Sequence, residues 1–232
     1  MTLSEAKALA RALLNYESYD VEPSALLQFI NDGERVVGQH IMDANPWIFA
    51  EPQTLDVTAA TGPIESYDFT TPLVPDTPIP NKILTVATRQ TANKNARYTW
   101  MPALDPVETF ANAPGRNGYS QPYRQAWSYA PPMVLFSTPV AVGTTIVFMI
   151  ATFPALTTDN AALLFGGRDS LLPYNYLVAY HAAILMGLAR EQNVENLIAF
   201  YTAHLERVCT TLKESQTQAL NHIPQLDGRV EI

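Results

Sequence analysis

The sequence predicts an α+β protein: a four-helix-type bundle formed by N- and C-terminal helices, an inserted small antiparallel β-domain, and an extended C-terminal tail. Apolar stripes at helical period lie at both ends of the chain. Between them, short β-rich segments are separated by many of the 18 prolines. A chain of 232 residues can bury one sizeable core plus an inserted module. The predicted domains are helical half one at 1–51, the β-domain with long loops at 52–168, helical half two at 169–218, and the tail at 219–232.

The first helical half contains two predicted helices. The first spans Ser4–Asn15 with Ser4 as its N-cap, because a serine side chain can accept a hydrogen bond from the first turn. The second opens near Pro23 and ends at Asn45, because the residue before Pro46 is disfavoured in the helical conformation. Gly33 interrupts its apolar stripe and indicates a close approach of another helix. The carboxylates of Asp32 and Glu34 are assigned to its solvated side.

The middle of the chain has seven segments of strand character. A central strand does not tolerate proline, so the prolines are expected in turns and edges. Two connections are long, one over 72–81 and one over 102–124. The predicted strands are Thr54–Thr58, Glu65–Thr70, Ile83–Thr88, Arg97–Met101, Gln125–Tyr129, Met133–Phe136 and Thr144–Phe153.

The second helical half is predicted to organise the rest of the chain. Its first helix, from about Pro173 to Arg190 with Ser170 as cap, is apolar almost all round and must therefore be surrounded. Its second helix, from about Val194 to Glu214, has one apolar stripe and leans on the first. We expect both helical halves to pack together. The stretch Ala219–Ile232 has no periodicity and is predicted to be extended.

The charge of −8 is unevenly distributed. Residues 1–51 carry −5, residues 52–168 are neutral, and residues 169–232 carry −3. Nucleic acid binding through phosphates needs clustered Lys and Arg, which this pattern does not offer. The single cysteine, Cys209, cannot form an internal disulfide. The sequence contains no run of eighteen apolar residues, so no membrane-spanning helix is predicted.

No motif predicts a reaction. The four histidines, His40, His181, His204 and His222, lack a second ligand at helical spacing, and no nucleophile elbow or phosphate loop occurs. His181 is interpreted as a hydrogen-bonded core residue and Cys209 as a packing residue. We therefore expect no catalytic, cofactor-binding or metal site, and we predict that the protein is not an enzyme.

The aromatic residues of the β-domain leave two interpretations open. They either fill a small core or form a platform that stacks on sugars or on a partner. Tyr119 and Tyr123, beside Gly118 and Pro122, are the pair expected to be most exposed, and tyrosine at such a place favours a protein interface. The full set is Tyr67, Phe69, Tyr98, Trp100, Tyr119, Tyr123, Trp127 and Tyr129.

The order of these parts resembles the head–tail connector adaptor proteins of tailed bacteriophages. The similarity covers nearly the whole chain through loose motifs. These are a capped helix, a second helix followed by a proline and an aromatic residue, a proline-rich strand region, and an apolar helix that begins with Leu-Pro. The long loop over 102–124 is not part of that pattern. The matching segments are Leu26–Asp32, Asn45–Phe49, Gln121–Tyr123 followed by Trp127, Val134–Pro139, Leu172–Tyr180 and Phe200-Tyr201.

The resemblance implies a structural virion protein at the head–tail junction. Such a protein forms a ring, usually of twelve subunits, that binds the portal protein, extends the DNA channel and receives a tail tube or nozzle protein. Genomic DNA passes through without specific binding, and no membrane is involved. The C-terminal tail is then a candidate portal contact. The expected partner-binding residues are Tyr119, Tyr123, Leu220, Ile223, Leu226, Val230 and Ile232. The alternatives are a glycan-binding or host-recognition tail module that uses exposed β-domain aromatics and, less favoured, a hydrolase acting through carboxylates.

Overall fold

The computed structural model describes residues 1–16, 21–70, 80–92, 98–103 and 125–222, with side chains up to Gln216. The chain forms two compact units. One is helical and consists of Met1–Ile48 and Phe153–His222. The other is built from strands and spans Phe49–Thr152. The prediction of an α+β protein with β-structure between two helical segments therefore agrees with the structure, whereas the predicted helix arrangement does not.

The helical unit contains four α-helices among its described residues. The strongly apolar third helix is the shortest but one, and nearly all its residues are buried or half-buried. It is preceded by 3-10 turns at Leu164–Gly167 and Asp169–Tyr174. The helices are α1 (Leu3–Leu13), α2 (Pro23–Ala44), α3 (Tyr176–Ala189) and α4 (Glu195–His222).

The prediction of a four-helix bundle is wrong. In a bundle, four helices share one core, and each packs mainly against two neighbours. Here α2 and α3 form the most extensively packed pair, and α1 and α4 each pack against both of them. Within the described residues, α1 and α4 make no extensive contact with each other. The reason is that α3 is apolar on every side, so it occupies a central position instead of one corner of a square. The packing of the N-terminal helices against the C-terminal ones is confirmed.

The caps of two helices differ from the prediction. Thr2, and not Ser4, caps α1: its hydroxyl accepts from the backbone N–H of Glu5, whose carboxylate accepts from the N–H of Thr2. This reciprocal arrangement satisfies two N–H groups that would otherwise lack partners. Ser170 does not cap α3 because it lies within the 3-10 turn Asp169–Tyr174.

Two glycines of α2 allow close packing. A Cβ atom on Gly33 would lie 2.8 Å from the carbonyl oxygen of Val178 in α3, which confirms the predicted close helix approach. A Cβ atom on Gly38 would overlap the ring of Phe153 and press on Phe165. Both positions therefore need a residue without a side chain.

Glu34 is buried, contrary to the prediction that it is solvated. Its carboxylate accepts hydrogen bonds from the backbone N–H groups of Thr157 and Phe165 and from the Thr157 hydroxyl. Phe165 begins three consecutive residues of left-handed backbone, with φ of 54° at Phe165 itself. A buried carboxylate is stable only with such hydrogen bonds. These bonds attach residues 157–165 to α2. The helical unit therefore includes the chain from Phe153 onward, whereas the sequence predicted that residues 153–168 belong to the β-domain.

The β-unit contains all seven predicted strands, with shifted ends. Two antiparallel sheets form, of order β1-β7-β3-β4 and β2-β6-β5. The strands are β1 (Ala50–Val57), β2 (Ile64–Asp68), β3 (Lys82–Gln90), β4 (Thr99–Met101), β5 (Trp127–Ala130), β6 (Met133–Val140) and β7 (Thr144–Ala151).

The two sheets enclose one apolar core. Tyr67 of β2 stacks on Phe148 of β7 with ring centroids 5.3 Å apart, and Phe69 lies edge-on to both. Trp127 of β5 is also buried there, and its indole N–H donates to the carbonyl of Met101. The interior therefore takes side chains from both sheets, as in a β-sandwich.

Prolines occur in two strands, at positions where a missing N–H is tolerated. Pro52 lies in β1, at an edge of its sheet. Pro139 lies in β6, the central strand of the other sheet, but beyond the residues of β6 that pair with β5. Proline is therefore excluded from positions that pair with a neighbouring strand on both sides, but it can occur in a central strand where one of the two neighbours has already ended.

The predicted extended tail begins too early. Helix α4 continues to His222, so Ala219–His222 are helical, and the remaining residues 223–232 lie outside the described part of the chain. Among the described residues, none of the helices has both the length and the apolar character needed to cross a membrane.

Candidate interaction surface

Four aromatic rings meet where α3 packs on α4. Tyr176 and Tyr180 are one turn apart on α3, and Phe200 and His204 are one turn apart on α4. Residues spaced four apart lie on the same helix face. Because α3 and α4 contact each other, the two pairs form one group, here called the aromatic cluster.

The rings of the aromatic cluster form a closed circuit. Phe200 stacks on Tyr180 with centroids 4.6 Å apart and on His204 with centroids 3.9 Å apart. Tyr176 closes the circuit, edge-on to Tyr180 at 6.2 Å and to His204 at 5.9 Å. Stacked and edge-to-face pairs of this kind stabilise a contact beyond the area they bury. The cluster is therefore a fixed surface and not four independent side chains.

A hydrogen bond fixes the cluster further. The hydroxyl of Tyr176 lies 3.0 Å from Nδ1 of His204, and the histidine tautomer decides which atom donates. Burial raises the pKa of Tyr176, the neighbouring Tyr174 and Tyr180 raise it further, and Arg207 lowers it. The net direction is upward, so the phenol is protonated at neutral pH and available as a donor.

The aromatic cluster is partly accessible. Phe200 is 37% exposed, and Tyr176, Tyr180 and His204 are half-buried. Arg207, one turn after His204, is exposed. Aromatic residues and arginine are enriched at protein interfaces. Aromatic rings bury a large apolar area, and the tyrosine hydroxyl and the arginine guanidinium add directional hydrogen bonds. The arrangement is thus suited to binding a protein segment.

A second polar group lies between α2, α3 and α4. The ring of His181 is 5.4 Å from that of Tyr201, and burial lowers the pKa of His181 while raising that of Tyr201 to about 12. The Cys209 thiol donates to the carbonyl of His40 at 3.7 Å, and burial raises its pKa. A protonated thiol is a weak nucleophile. Cys209 is half-buried, in keeping with the packing role predicted for it. His181 is half-buried against Tyr201, and among the described residues the predicted hydrogen bond of its ring is not observed.

The described part of the chain contains no group of three or more His, Cys, Asp or Glu side chains placed to hold a metal ion. The expected partner-binding residues are not among the described side chains. Leu220 lies within helix α4, but its side chain is not described. The others lie outside the described residues altogether: Tyr119, Tyr123, Ile223, Leu226, Val230 and Ile232.

The β-unit aromatics divide between the two interpretations. Tyr67, Phe69 and Trp127 are buried in the sandwich core, as the core-filling interpretation requires. Trp100 is 39% exposed on the edge strand β4, and Tyr98 lies under the Arg89 guanidinium at 4.8 Å from the ring centroid.

Neither the aromatic cluster nor the burial of Glu34 was predicted from the sequence. Two successive helices that each carry an aromatic pair at i and i+4 could have indicated the cluster, but the helix that contains Tyr180 is apolar on nearly every side, and this pattern predicts a buried position for each of its apolar residues. Glu34 lies on the apolar stripe of α2, four residues after Ile30 and three before Val37. A charge at such a position predicts a buried carboxylate with a dedicated set of donors.

No protein-family model matches the chain, and no curated protein is significantly similar to it.

Proposed function

We propose that this protein is a structural head-to-tail adaptor, a virion protein that forms a ring under the portal of a tailed bacteriophage. The observation that carries a binding role is the aromatic cluster, a rigid and partly exposed surface of the residue types that protein interfaces favour. The specific role rests on the sequence resemblance, which covers both helical halves and the strand region.

The charge supports a channel that DNA traverses without binding. The chain carries −8, and its acidic excess lies in the N- and C-terminal segments that form the helical unit. A ring, with twelve subunits as the expected number, multiplies this charge and repels phosphates. The partners are then further copies of this chain, the portal protein, and a tail tube or nozzle protein.

Native mass spectrometry of the purified chain, alone and with the portal protein of the same genome, tests this function. A ring of defined stoichiometry that binds the portal supports it. A chain that stays monomeric or trimeric with the portal and binds a glycan array instead would replace it with the host-recognition alternative. The exposed Trp100 is then the first residue to change.

The C-terminal residues provide a second test at the portal. We expect deletion of 223–232 to leave the thermal unfolding temperature nearly unchanged while weakening portal association. The deletion leaves α4 intact, because this helix ends at His222. A truncated chain that fails to fold would assign these residues to the core and remove them as a portal contact.

A further inference from the structure

The aromatic cluster has the chemistry of a surface that binds polyproline helices. Such a helix is preformed, so it loses little conformational entropy on binding, and its proline rings pack on aromatic side chains. Phe200 stacks between Tyr180 and His204, so the cluster offers the outer edges of the stacked rings to a partner, and Phe200 is the most accessible of them. Tyr176 adds a protonated hydroxyl beside them.

The chain itself contains a segment with the matching period. Residues 72–80 have the sequence PLVPDTPIP, with Pro72, Pro75 and Pro78 spaced three apart. A polyproline helix has three residues per turn, so a sequence with this spacing would have its three prolines on one face in that conformation. These residues, apart from Pro80, lie outside the described part of the chain.

We propose that the segment 72–80 of one copy binds the aromatic cluster of a neighbouring copy. The charges are complementary, because Asp76 is the only charged residue of the segment and Arg207 borders the cluster closely enough to lower the pKa of Tyr176. The inference rests on the proposed function. A closed ring needs two different surfaces on every subunit, joined head to tail. The segment and the cluster belong to different units of the chain and supply two such surfaces.

A labelled peptide of residues 71–81 tests the contact directly. Titrated with the full chain, it should bind saturably in fluorescence anisotropy, and Phe200→Ala should weaken binding about tenfold or more. Val142→Ala is the matched control, since Val142 is also an exposed apolar residue but lies in the turn between β6 and β7. A peptide with Pro75→Ala and Pro78→Ala should lose binding. Equal binding to the Phe200→Ala chain, or no saturable binding, overturns the proposal.

The full chain tests the arrangement between copies. Phe200→Ala alone and Pro75→Ala with Pro78→Ala should each reduce self-association. Mixed together, the two variants retain one intact segment and one intact cluster, so they should form heterodimers but no larger species. Rings that persist in both variants overturn this contact while leaving the adaptor function standing. If the chain binds the peptide but never assembles with a portal, the contact between copies is supported and the adaptor function is rejected.

Discussion

Glu34 stabilises a backbone conformation that its neighbours would not adopt alone. Phe165 has positive φ, which is unfavourable for a residue with a side chain, and its N–H is bound by the buried Glu34 carboxylate. The second carboxylate oxygen accepts from the N–H of Thr157, so both ends of the connection 157–165 are attached to one side chain. Removing either acceptor leaves a buried donor without a partner.

We expect Glu34→Gln to lower the free energy of unfolding by about 1–3 kcal/mol. The amide oxygen can replace one carboxylate oxygen, but the amide nitrogen would then face a backbone N–H, so one buried donor loses its acceptor. Urea unfolding measures the difference. Glu206→Gln, which changes an exposed carboxylate on α4, is the control and should have little effect. Equal stability of both variants and the wild type would mean that Glu34 does not hold the connection.

His181 gives stability a dependence on pH. Burial lowers its pKa below the ordinary value of 6.5, His40 lowers it further, and Asp32 raises it. The unfolded chain therefore binds this proton more readily than the folded chain, so the contribution of His181 is complete above pH 6.5 and falls as the pH drops toward the folded-state pKa. Tyr201, which faces the ring from α4, stays neutral throughout this range.

The wild type should therefore lose more unfolding free energy than His181→Gln between about pH 7.5 and about pH 5. Asp32→Asn removes the carboxylate that favours the charged imidazole, so it should make the loss steeper. Urea titrations at several pH values compare the three proteins. Parallel curves for the wild type and His181→Gln would show that His181 is neutral to the same degree in both states.

At the scale of elements, α3 is the helix on which the other three pack. Ile184 is buried, while Leu188, one turn later on the same helix, is 54% exposed. An aspartate at 184 places an unpaired charge in the core, and we expect Ile184→Asp to cost at least about 3 kcal/mol and to abolish soluble expression. Leu188→Asp should change stability by no more than about 0.5 kcal/mol. Comparing soluble yield and thermal unfolding of the two variants tests the central placement, and a stable Ile184→Asp protein would contradict it.

The sequence predicted the strands and helices more completely than their arrangement. The spacing of apolar residues along a segment depends on which face of that segment is buried. This spacing is visible in the sequence, so it predicted the seven strands and the four helices. The packing of α3 against three helices depends on Gly33 and the small residues of α3, whose contacts are non-local. The length of α4 beyond Glu214 was missed because its last two turns lack an apolar stripe. The aromatic cluster was missed because it forms only when two helices meet.

At the scale of the whole molecule, positive charge is sparse and dispersed. The chain has 14 Lys and Arg residues against 22 Asp and Glu residues. The closest approach to a basic group in sequence is Arg89, near the end of β3, followed by Lys94 and Arg97, and of these three only Arg89 is among the described residues. Its guanidinium lies over the ring of Tyr98. Because this guanidinium already interacts with an aromatic ring of the protein, it is less available to contact a DNA phosphate.

We therefore expect the free subunit to show no measurable binding to duplex DNA near physiological salt. Affinity for a duplex grows with the number of phosphates that clustered cations neutralise, and each such contact adds about one unit to the slope of log affinity against log salt. A chain of net charge −8 without a cationic cluster lacks this contribution and adds repulsion. Fluorescence anisotropy with a short labelled duplex, at low and at physiological salt, measures it. Micromolar affinity with a steep salt slope would contradict the passive channel, and loss of that affinity in Arg89→Ala, Lys94→Ala and Arg97→Ala would identify a nucleic acid site.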